Sequence, residues 1–344
     1  MEEISLGKSG LRVRRPAFGA LPLQRLDRKG AVALLHAALD GGINFFDTAR
    51  AYSDSESKVG EAFSGMRKRV FIATKTRGDD RAVIEAELAL SLAALKTDYL
   101  DLYQLHNVKD VPRPGDGTER WETLSELKRK GVIRAAGLTS HCLETAVAAA
   151  QSGLYDTVQF PFSLLATEAE EELTRICLRE NVGFIAMKAL AGGLIGNIPA
   201  ACAYLHSFSN VVPIWGLQAE AELAQFLSLA AAPPVMGEAM RRAVQAERDA
   251  LGGRFCRGCG YCLPCPQDIY LPFIARMDRL LRRSPWRQYA EADWVEKMRA
   301  AKNCIHCGDC ASRCPYGLKT DELVAANVAD YENFMREQGL PNLL

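Results

Sequence analysis

Eight of the eleven cysteines in this 344-residue chain lie between residues 256 and 314, in two arrays that each end in Cys-Pro. The eight residues are Cys256, Cys259, Cys262 and Cys265, followed by Cys304, Cys307, Cys310 and Cys314. The second array, C-x2-C-x2-C-x3-C-P, has the spacing of a bacterial iron–sulfur run whose fourth cysteine binds the other of two clusters. One-electron inorganic chemistry is therefore predicted for the C-terminal third of a chain that begins with a different pattern.

Two other uses of closely spaced cysteines fit less well. A disulfide framework is typical of small secreted domains, and this long chain begins with MEEISLGKSG, which carries no export signal. Structural zinc is usually bound by two knuckles of two cysteines each, whereas four thiols at successive three-residue spacing crowd one tetrahedral ion. We predict two [4Fe–4S] clusters, with zinc or a lone cluster as the alternatives.

The two arrays differ in spacing, because the first has two residues rather than three before its fourth cysteine. If the fourth ligands cross over, cluster one is bound by Cys256, Cys259, Cys262 and Cys314. Cluster two is then bound by Cys304, Cys307, Cys310 and Cys265. The scattered cysteines are expected to be inert core residues: Cys142, Cys177 and Cys202.

The balance of charge excludes one class of partner. Lysine plus arginine equals aspartate plus glutamate, at 42 each, so no basic excess indicates nucleic-acid binding. No stretch approaches the roughly 20 apolar residues of a membrane helix, and thiols that must hold iron favour a reducing interior. The expectation is a cytoplasmic protein that acts on a small molecule, without a nucleic-acid or membrane partner.

Short β-rich runs alternate with helical patterns over the first two thirds of the chain. The candidate strands are Pro16–Ala20, Ile43–Asp47, Val70–Thr74, Leu100–Leu105, Val132–Leu138, Asp156–Phe160, Gly183–Lys188 and Val211–Trp215. Several are continuous apolar runs, as expected when both faces of a parallel sheet are covered. Eight strand–helix units predict an α/β fold, a closed (β/α)8 TIM barrel. A doubly wound open sheet is second choice, because no strand is followed by a G-x-G-x-x-G turn.

Pro233-Pro234 interrupts this alternation and suggests two domains, residues 1–236 and 237–344. The stretch between the two arrays is mostly helical in pattern, at 269–283 and 292–302, which favours a helical ferredoxin-like domain. Its local basic cluster consists of Arg276, Arg279, Arg282, Arg283 and Arg287. Such a cluster is usually a solvated helix face, and the alternative is docking of an acidic electron-transfer partner such as a ferredoxin.

Polar residues stand at three consecutive strand ends. Asp47 closes the second predicted strand, with Tyr52 five residues later, while Lys75 and His106 close the third and fourth. These ends share one mouth of a barrel, where catalytic groups gather. The set suits proton delivery to a carbonyl oxygen: a nearby ammonium lowers the pKa of a phenol, a carboxylate holds the ammonium, and an imidazole orients the carbonyl.

The segments around these residues resemble the aldo-keto reductase superfamily. The matching segments are Phe46-Asp47-Thr48-Ala49-Arg50-Ala51-Tyr52, Ile72-Ala73-Thr74-Lys75, Asp101-Leu102-Tyr103-Gln104-Leu105-His106 and Gly131-Val132-Ile133-Arg134-Ala135-Ala136-Gly137. With its cysteine arrays, the chain resembles the branch that carries a C-terminal ferredoxin-type 4Fe–4S domain. The resemblance implies a (β/α)8 barrel, nicotinamide-dependent carbonyl reduction, and a catalytic tetrad of Asp47, Tyr52, Lys75 and His106 with Tyr52 as the acid.

The resemblance also implies a nicotinamide site, which this sequence matches only in part. Thr139-Ser140 stands where the family usually has Ser-Asn, and Gln159 is present on the sixth strand. Trp215 and Gly216 follow at the eighth strand, but no lysine or arginine lies between Trp215 and Phe226 to bind a 2′-phosphate. NADPH, NADH and no nicotinamide at all therefore remain open.

Electron counting leaves the role of the clusters open. Hydride transfer moves two electrons together, whereas each cluster passes one at a time. The clusters could reload a two-electron cofactor, feed single electrons to the substrate, or hold the C-terminal domain together; a flavin could mediate, although no sequence feature indicates one. We expect an oxidoreductase that reduces a carbonyl or related substrate. The alternative is an electron-transfer or redox-sensing protein whose barrel is only a binding scaffold.

Overall fold

The computed structural model describes residues 1–251, 256–283, 285–340 and 344. These residues form two compact units. The first comprises Met1–Ala189 and Pro199–Arg241, and the second comprises Leu190–Ile198 and Arg242–Leu344. A short internal segment of the chain thus belongs to the C-terminal unit, although the residues on both sides of it belong to the first.

The first unit is built on a closed barrel of eight parallel strands, which confirms the predicted fold class. The barrel strands are β3 (Ala17–Gly19), β4 (Phe45–Asp47), β5 (Phe71–Thr76), β6 (Leu100–Leu105), β7 (Ile133–Thr139), β8 (Thr157–Pro161), β9 (Gly183–Met187) and β10 (Val211–Gly216). Each strand pairs with the next along the chain, and β10 pairs with β3 to close the ring. All eight candidate strands are found, with ends that lie within two residues of those predicted.

A helix follows each barrel strand. The helices of the first unit are α1 (Arg28–Asp40), α2 (Ser55–Phe63), α3 (Arg81–Leu95), α4 (Arg120–Arg129), α5 (Leu143–Gln151), α6 (Glu168–Arg179), α7 (Ile198–His206) and α8 (Glu220–Ala231). The start of α6 is fixed by a capping box, in which Thr167 accepts from the N–H of Glu170 and the Glu170 carboxylate accepts from the N–H of Thr167. Asp80 likewise accepts from the N–H of Val83 at the start of α3.

An N-terminal hairpin, not predicted from the sequence, packs into the barrel. Its strands β1 (Glu2–Ser5) and β2 (Arg12–Arg15) are antiparallel. Apolar side chains of the hairpin, such as Val13 of β2, belong to one buried cluster with inward-facing residues of the barrel strands, such as Phe45 and Leu102. The hairpin strands have four residues each, too few for a periodic signal to stand out.

Strand alternation then places polar groups above this apolar layer. Phe45, Ala73 and Leu102 face the interior, and successive inward positions are two residues apart. Two residues toward the C-terminal end of β4, β5 and β6 stand Asp47, Lys75 and Gln104, all of them buried. The apolar layer closes the barrel below, so the polar groups are open only toward the C-terminal mouth.

The second unit is helical wherever it has regular structure within the described residues. Its helices are α9 (Glu238–Leu251, of which residues 242–251 belong to this unit), α10 (Leu271–Ile274), α11 (Met277–Arg283), α12 (Ala292–Ala301), α13 (Asp309–Ser312) and α14 (Thr320–Glu337). The helix predicted over 269–283 is instead two short helices, because Ala275, with ψ near 1°, ends α10. Among the described residues, no helix is both long and apolar enough to cross a membrane.

We predict that Asp101→Asn destabilises the barrel. The fully buried carboxylate accepts three hydrogen bonds, from Arg67 Nη2 at 2.6 Å, Arg134 Nη1 at 3.0 Å and the N–H of Ile72 at 2.9 Å. Losing its charge leaves two guanidinium groups without their counter-ion, so the free energy of unfolding should fall by about 2 kcal/mol.

Urea unfolding followed by far-UV circular dichroism measures this loss. Asp98 is exposed at the same end of the strand, so Asp98→Asn is the matched control and should change stability by less than about 0.5 kcal/mol. Similar losses in both variants would contradict a specific role for the buried carboxylate.

Candidate active site and iron–sulfur centre

A buried ion pair forms the floor of the site. Lys75 Nζ donates to Asp47 Oδ1 at 2.5 Å and to the carbonyl oxygen of Thr48 at 2.7 Å, and the side chains of Lys75 and Asp47 are 1% and 2% exposed. Gln104 Nε2 and Gln159 Nε2 each lie 3.5 Å from the Asp47 carboxylate. Burial raises the pKa of Asp47, and the Lys75 ammonium opposes that rise. The ammonium is thereby held at a fixed point beneath the barrel mouth.

Tyr52 and His106 lie over this pair. The Tyr52 and His106 rings meet edge to face with centroids 5.8 Å apart, and Lys75 Nζ lies 5.3 Å from the Tyr52 ring centroid. The turn between β4 and α2 positions the phenol, since the N–H of Tyr52 donates to Ala49 O and its carbonyl accepts from the N–H of Ser55. The structure thus brings together the four residues predicted as catalytic; their roles remain predictions.

The predicted direction of the Tyr52 pKa is wrong. We expected the Lys75 ammonium to lower it, but burial of the phenol outweighs the ammonium and raises the pKa of Tyr52 above its ordinary value. Sequence spacing indicated which charge is near, but it could not show how far the ring is removed from water. Tyr52 is therefore protonated at neutral pH, the form that an acid requires.

His106 is neutral for a related reason. Burial, followed by the charges of Lys75 and Arg77, lowers the pKa of His106 to about 3. Among the described residues nothing hydrogen-bonds its buried Nδ1 atom. A neutral imidazole with an unused ring nitrogen can donate or accept one hydrogen bond at the barrel mouth.

Gln104 belongs to the site, and the sequence analysis did not single it out. Its amide donates to Gln159 Oε1 at 2.9 Å and so joins β6 to β8 across the barrel interior. A polar residue two positions after the inward-facing Leu102 in a fully buried strand was the available signal.

The residues predicted to hold nicotinamide are mostly engaged with the protein. Thr139 Oγ1 accepts from the N–H of Asn107 at 2.7 Å, and Ser140 Oγ donates to Val108 O at 2.8 Å. Gln159 takes part in the network around the ion pair. The remaining two lie on β10: Trp215 is buried against Phe226 of α8 with ring centroids 4.5 Å apart, and Gly216 is exposed. Their role in nicotinamide binding remains a prediction.

The cysteines of the two arrays fall into two neighbourhoods. Five cysteines line one partly open cavity: Cys262, Cys265, Cys304, Cys307 and Cys310. All eleven cysteines of the chain lie within the described ranges, and none of them forms a disulfide. The same described ranges hold no three Cys, His, Asp or Glu side chains grouped around a point suited to a single metal ion. Four of these cysteines are the set predicted for cluster two, and the fifth, Cys262, belongs to the set predicted for cluster one.

The other neighbourhood surrounds Cys256. Burial raises the pKa of Cys256, the N–H of Gly258 and the Arg276 guanidinium lower it, and Cys259 and Cys314 raise it further. Gly258 N lies 3.4 Å from Cys256 Sγ. Cys314 of the second array is therefore within electrostatic range of Cys256, in agreement with the crossed assignment, and Cys310 is likewise within range of Cys262. Both ligand sets remain predictions.

Two of the three scattered cysteines are core residues as predicted, and the third is not. Cys177 and Cys202 are buried, and burial raises the pKa of each thiol to about 12, so both are inert. Cys142 is not a core residue: it is only half-buried, lies at the start of α5, and its Sγ is 2.9 Å from Glu144 Oε2.

The predicted basic cluster is not one exposed face. Three of its five members have separate acidic partners: Arg279 pairs with Asp278, Arg282 with Asp330 and Arg283 with Glu247, while Arg287 is exposed and lies over the ring of Trp286. Arg276 is half-buried beside the first cysteine array. The three ion-paired arginines therefore do not form an unpaired positive surface on which an acidic partner could dock.

Comparisons with known proteins identify the two parts of the chain. A family model described as "Aldo/keto reductase family" matches residues 15–211, and one described as "4Fe-4S dicluster domain" matches residues 255–319. Among curated proteins, an uncharacterized oxidoreductase, YrpG of Bacillus subtilis, is 34% identical over 57% of this chain and 69% of its own length. The aldo-keto reductase YhdN of the same organism is 32% identical over 57% of this chain and 64% of its own length.

Solved structures of similar fold cover a larger share of the chain. A putative aldo-keto reductase from Pseudomonas aeruginosa aligns with a TM-score of 0.61 at 28% identity, covering 67% of this chain and 94% of that one. An aldo-keto reductase from Klebsiella pneumoniae, solved in complex with NADPH, aligns with a TM-score of 0.63 at 22% identity and covers 72% of this chain and 96% of that one. At this identity the match shows likeness of fold alone.

We predict a pH-dependent stability loss that originates at His106. Because its folded pKa of about 3 lies below the unfolded value near 6.5, the unfolded chain binds a proton that the folded protein excludes. The stability associated with neutral His106 is complete above about pH 7 and should fall by about 1 kcal/mol per pH unit as pH drops below about 6.

The measurement is urea unfolding of the wild type and His106→Gln between pH 4 and 8. Their difference in unfolding free energy should be constant above pH 7 and shift against the wild type below pH 6. His306→Gln, at a side chain that is 55% exposed, is the control and should not change the pH profile. A difference that is independent of pH would show that His106 titrates normally.

Proposed function

The chain belongs to the aldo/keto reductase family and carries a C-terminal 4Fe-4S dicluster domain, and from that membership we propose that this oxidoreductase reduces a carbonyl or related small molecule with Tyr52 as general acid. The observation that supports this most is the convergence of a protonated phenol, a neutral imidazole and a buried ammonium–carboxylate pair at one barrel mouth. We expect it to act in the cytoplasm, whose reducing conditions keep cysteine thiols available for iron.

The side chains divide the work of protonation. Tyr52 donates its proton to the substrate oxygen as negative charge develops there. His106 donates a hydrogen bond to the same oxygen and fixes its position. The Lys75 ammonium stabilises the phenolate that remains, and Asp47 holds the ammonium so that it need not reorganise during the reaction.

The source of the electrons is a separate part of the proposal. A bound nicotinamide would supply hydride to the substrate carbon, but the Thr139 and Ser140 hydroxyls are already hydrogen-bonded to the loop that follows β6. The clusters would supply single electrons. In the crossed assignment, cluster one is bound by Cys256, Cys259, Cys262 and Cys314, and cluster two by Cys265, Cys304, Cys307 and Cys310, all four of which line one cavity.

The second candidate function is electron transfer or redox sensing by the clusters, with the barrel as a scaffold. The engagement of the Thr139 and Ser140 hydroxyls favours it, because the predicted nicotinamide site presents few unused donors. A partner ferredoxin would then exchange electrons with the clusters, and no carbonyl turnover would be seen with NADPH, NADH or dithionite.

We predict that Tyr52→Phe abolishes carbonyl reduction while leaving the fold intact. Loss of the general acid should lower kcat by about 10²–10⁴. The assay uses anaerobic protein with nitrobenzaldehyde as probe, and NADPH, NADH or dithionite as separate electron sources. Tyr99→Phe is the control, because Tyr99 immediately precedes β6 at the opposite end of the barrel.

Each outcome of this assay separates the candidates. Activity that disappears only in Tyr52→Phe supports the proposal, and the electron source that sustains it identifies the donor. Full activity in Tyr52→Phe removes the phenol from the mechanism. Inactive wild-type protein whose clusters exchange electrons with ferredoxin favours the second candidate.

We predict about eight iron and eight sulfide per chain after anaerobic purification. Under crossed ligation, Cys256→Ser combined with Cys314→Ser disables one cluster and leaves about four iron. Cys304→Ser combined with Cys314→Ser disables both. Under uncrossed ligation the first double variant loses both clusters and the second loses only one. Cys177→Ser, at a buried thiol outside the arrays, is the control and should leave the iron content unchanged.

A further inference from the structure

Arg276 is a partly buried cation that the proposed reaction does not use. It lies between α10 and α11, and its guanidinium Cζ is 4.9 Å from the ring centroid of Phe273. Its Nε atom is buried, and within the described part of the chain it has no hydrogen-bond partner. An arginine nitrogen in this position usually faces an anion, because leaving a charged donor unpaired away from water is costly.

Two glycines leave the space that the guanidinium occupies. A Cβ added at Gly258 would lie 2.9 Å from Arg276 Cζ and Nη1, closer than side chains tolerate. A Cβ at Gly192 would lie 3.3 Å from Nη1. Gly258 also has a φ of +62° and follows Cys256 by two residues, so the first cysteine array bends around the Arg276 head group.

Among the residues that the structure describes, no carboxylate pairs with this guanidinium. Arg279, Arg282 and Arg283 each pair with an acid, whereas Arg276 forms no salt bridge to any Asp or Glu in residues 256–283 and 285–340 or elsewhere in the described chain. The residues outside the described ranges include no Asp or Glu. An uncompensated, largely buried ion costs several kcal/mol. The guanidinium adjoins Gly258, two residues after Cys256, so the first cysteine array is the part of the chain through which a counter-charge can arrive.

We propose that Arg276 is the counter-cation of cluster one and sets its reduction potential above that of cluster two. The inference rests on the proposed ligand set of Cys256, Cys259, Cys262 and Cys314. Reduction adds a negative charge to a cluster that is already anionic with its thiolates, and a fixed cation stabilises the reduced state. Arg276 would act on the cluster through its positive charge. It contacts neither substrate nor reacting atoms and is therefore not a catalytic residue.

The surroundings of cluster two have the opposite charge. Its cavity is lined by two carboxylate residues, Asp309 and Asp321. Asp309 pairs with Arg313 at 3.0 Å, and Asp321 lies 3.5 Å from the exposed His306. A carboxylate beside one cluster and a guanidinium beside the other separate their potentials, so electrons collect first on cluster one.

The test is a redox titration of the intact protein, followed by EPR of the reduced clusters. Arg276→Gln removes the cation, Arg276→Lys keeps a charge without the planar fork, and Arg282→Gln removes a neighbouring arginine that pairs with Asp330 and is 48% exposed. Iron is counted in every sample. Wild-type protein with about eight iron satisfies the cluster proposal independently of the result for Arg276.

The expected result is a shift of one midpoint potential, the higher of the two, to a more negative value in Arg276→Gln. The other midpoint stays unchanged, Arg276→Lys shifts less, and Arg282→Gln shifts neither. Two unchanged midpoints in Arg276→Gln at full iron content would overturn the proposal. Arg276→Gln could retain only half the iron, and Arg276→Lys then decides the outcome. If Arg276→Lys keeps full iron and a near-normal potential, the role of charge is supported. If Arg276→Lys loses as much iron, the role of charge is contradicted.

Discussion

The buried ion pair between Lys75 and Asp47 is the interaction on which the rest of the active site depends. Two opposite charges inside a barrel are tolerated only when their remaining hydrogen-bonding capacity is also satisfied. Thr48 supplies a backbone carbonyl, and Gln104 and Gln159 bring amide groups to the carboxylate from β6 and β8. The pair is therefore part of a network that spans the barrel interior, and the phenol and imidazole lie over a fixed positive charge.

The barrel could be predicted because buried parallel strands are continuous apolar runs with polar residues at their ends. The sites of Asp47, Lys75 and His106 followed from that pattern, since neighbouring strand ends share one mouth. Gln104 was missed because it stands inside a strand, where only the alternation of β6 gives its direction. The Tyr52 pKa was predicted with the wrong sign, because burial depends on the complete tertiary structure and spacing does not.

The second unit shows a different limit of sequence-based prediction. Cysteine spacing indicated both ligand sets, yet the segment Leu190–Ile198 carries no signal that it belongs with the cysteine arrays. Its backbone is held there by side chains: Arg283 donates to Leu194 O at 2.7 Å, and Glu247 accepts from the N–H of Asn197 at 2.9 Å. Arg276 abuts Gly192 of the same segment. These contacts lie within the second unit and explain why the segment belongs to it.

The central claim, that the Lys75–Asp47 pair is the basis of the site, is tested most directly by a double-mutant cycle of Lys75→Met and Asp47→Asn. Unfolding free energy and aldehyde turnover are measured for the wild type, both single variants and the double variant. Each single variant leaves one buried group unpaired, so we predict a coupling energy of about 2 kcal/mol or more and a double variant no less stable than the worse single one. Additive losses, with no coupling in either measurement, would contradict the account.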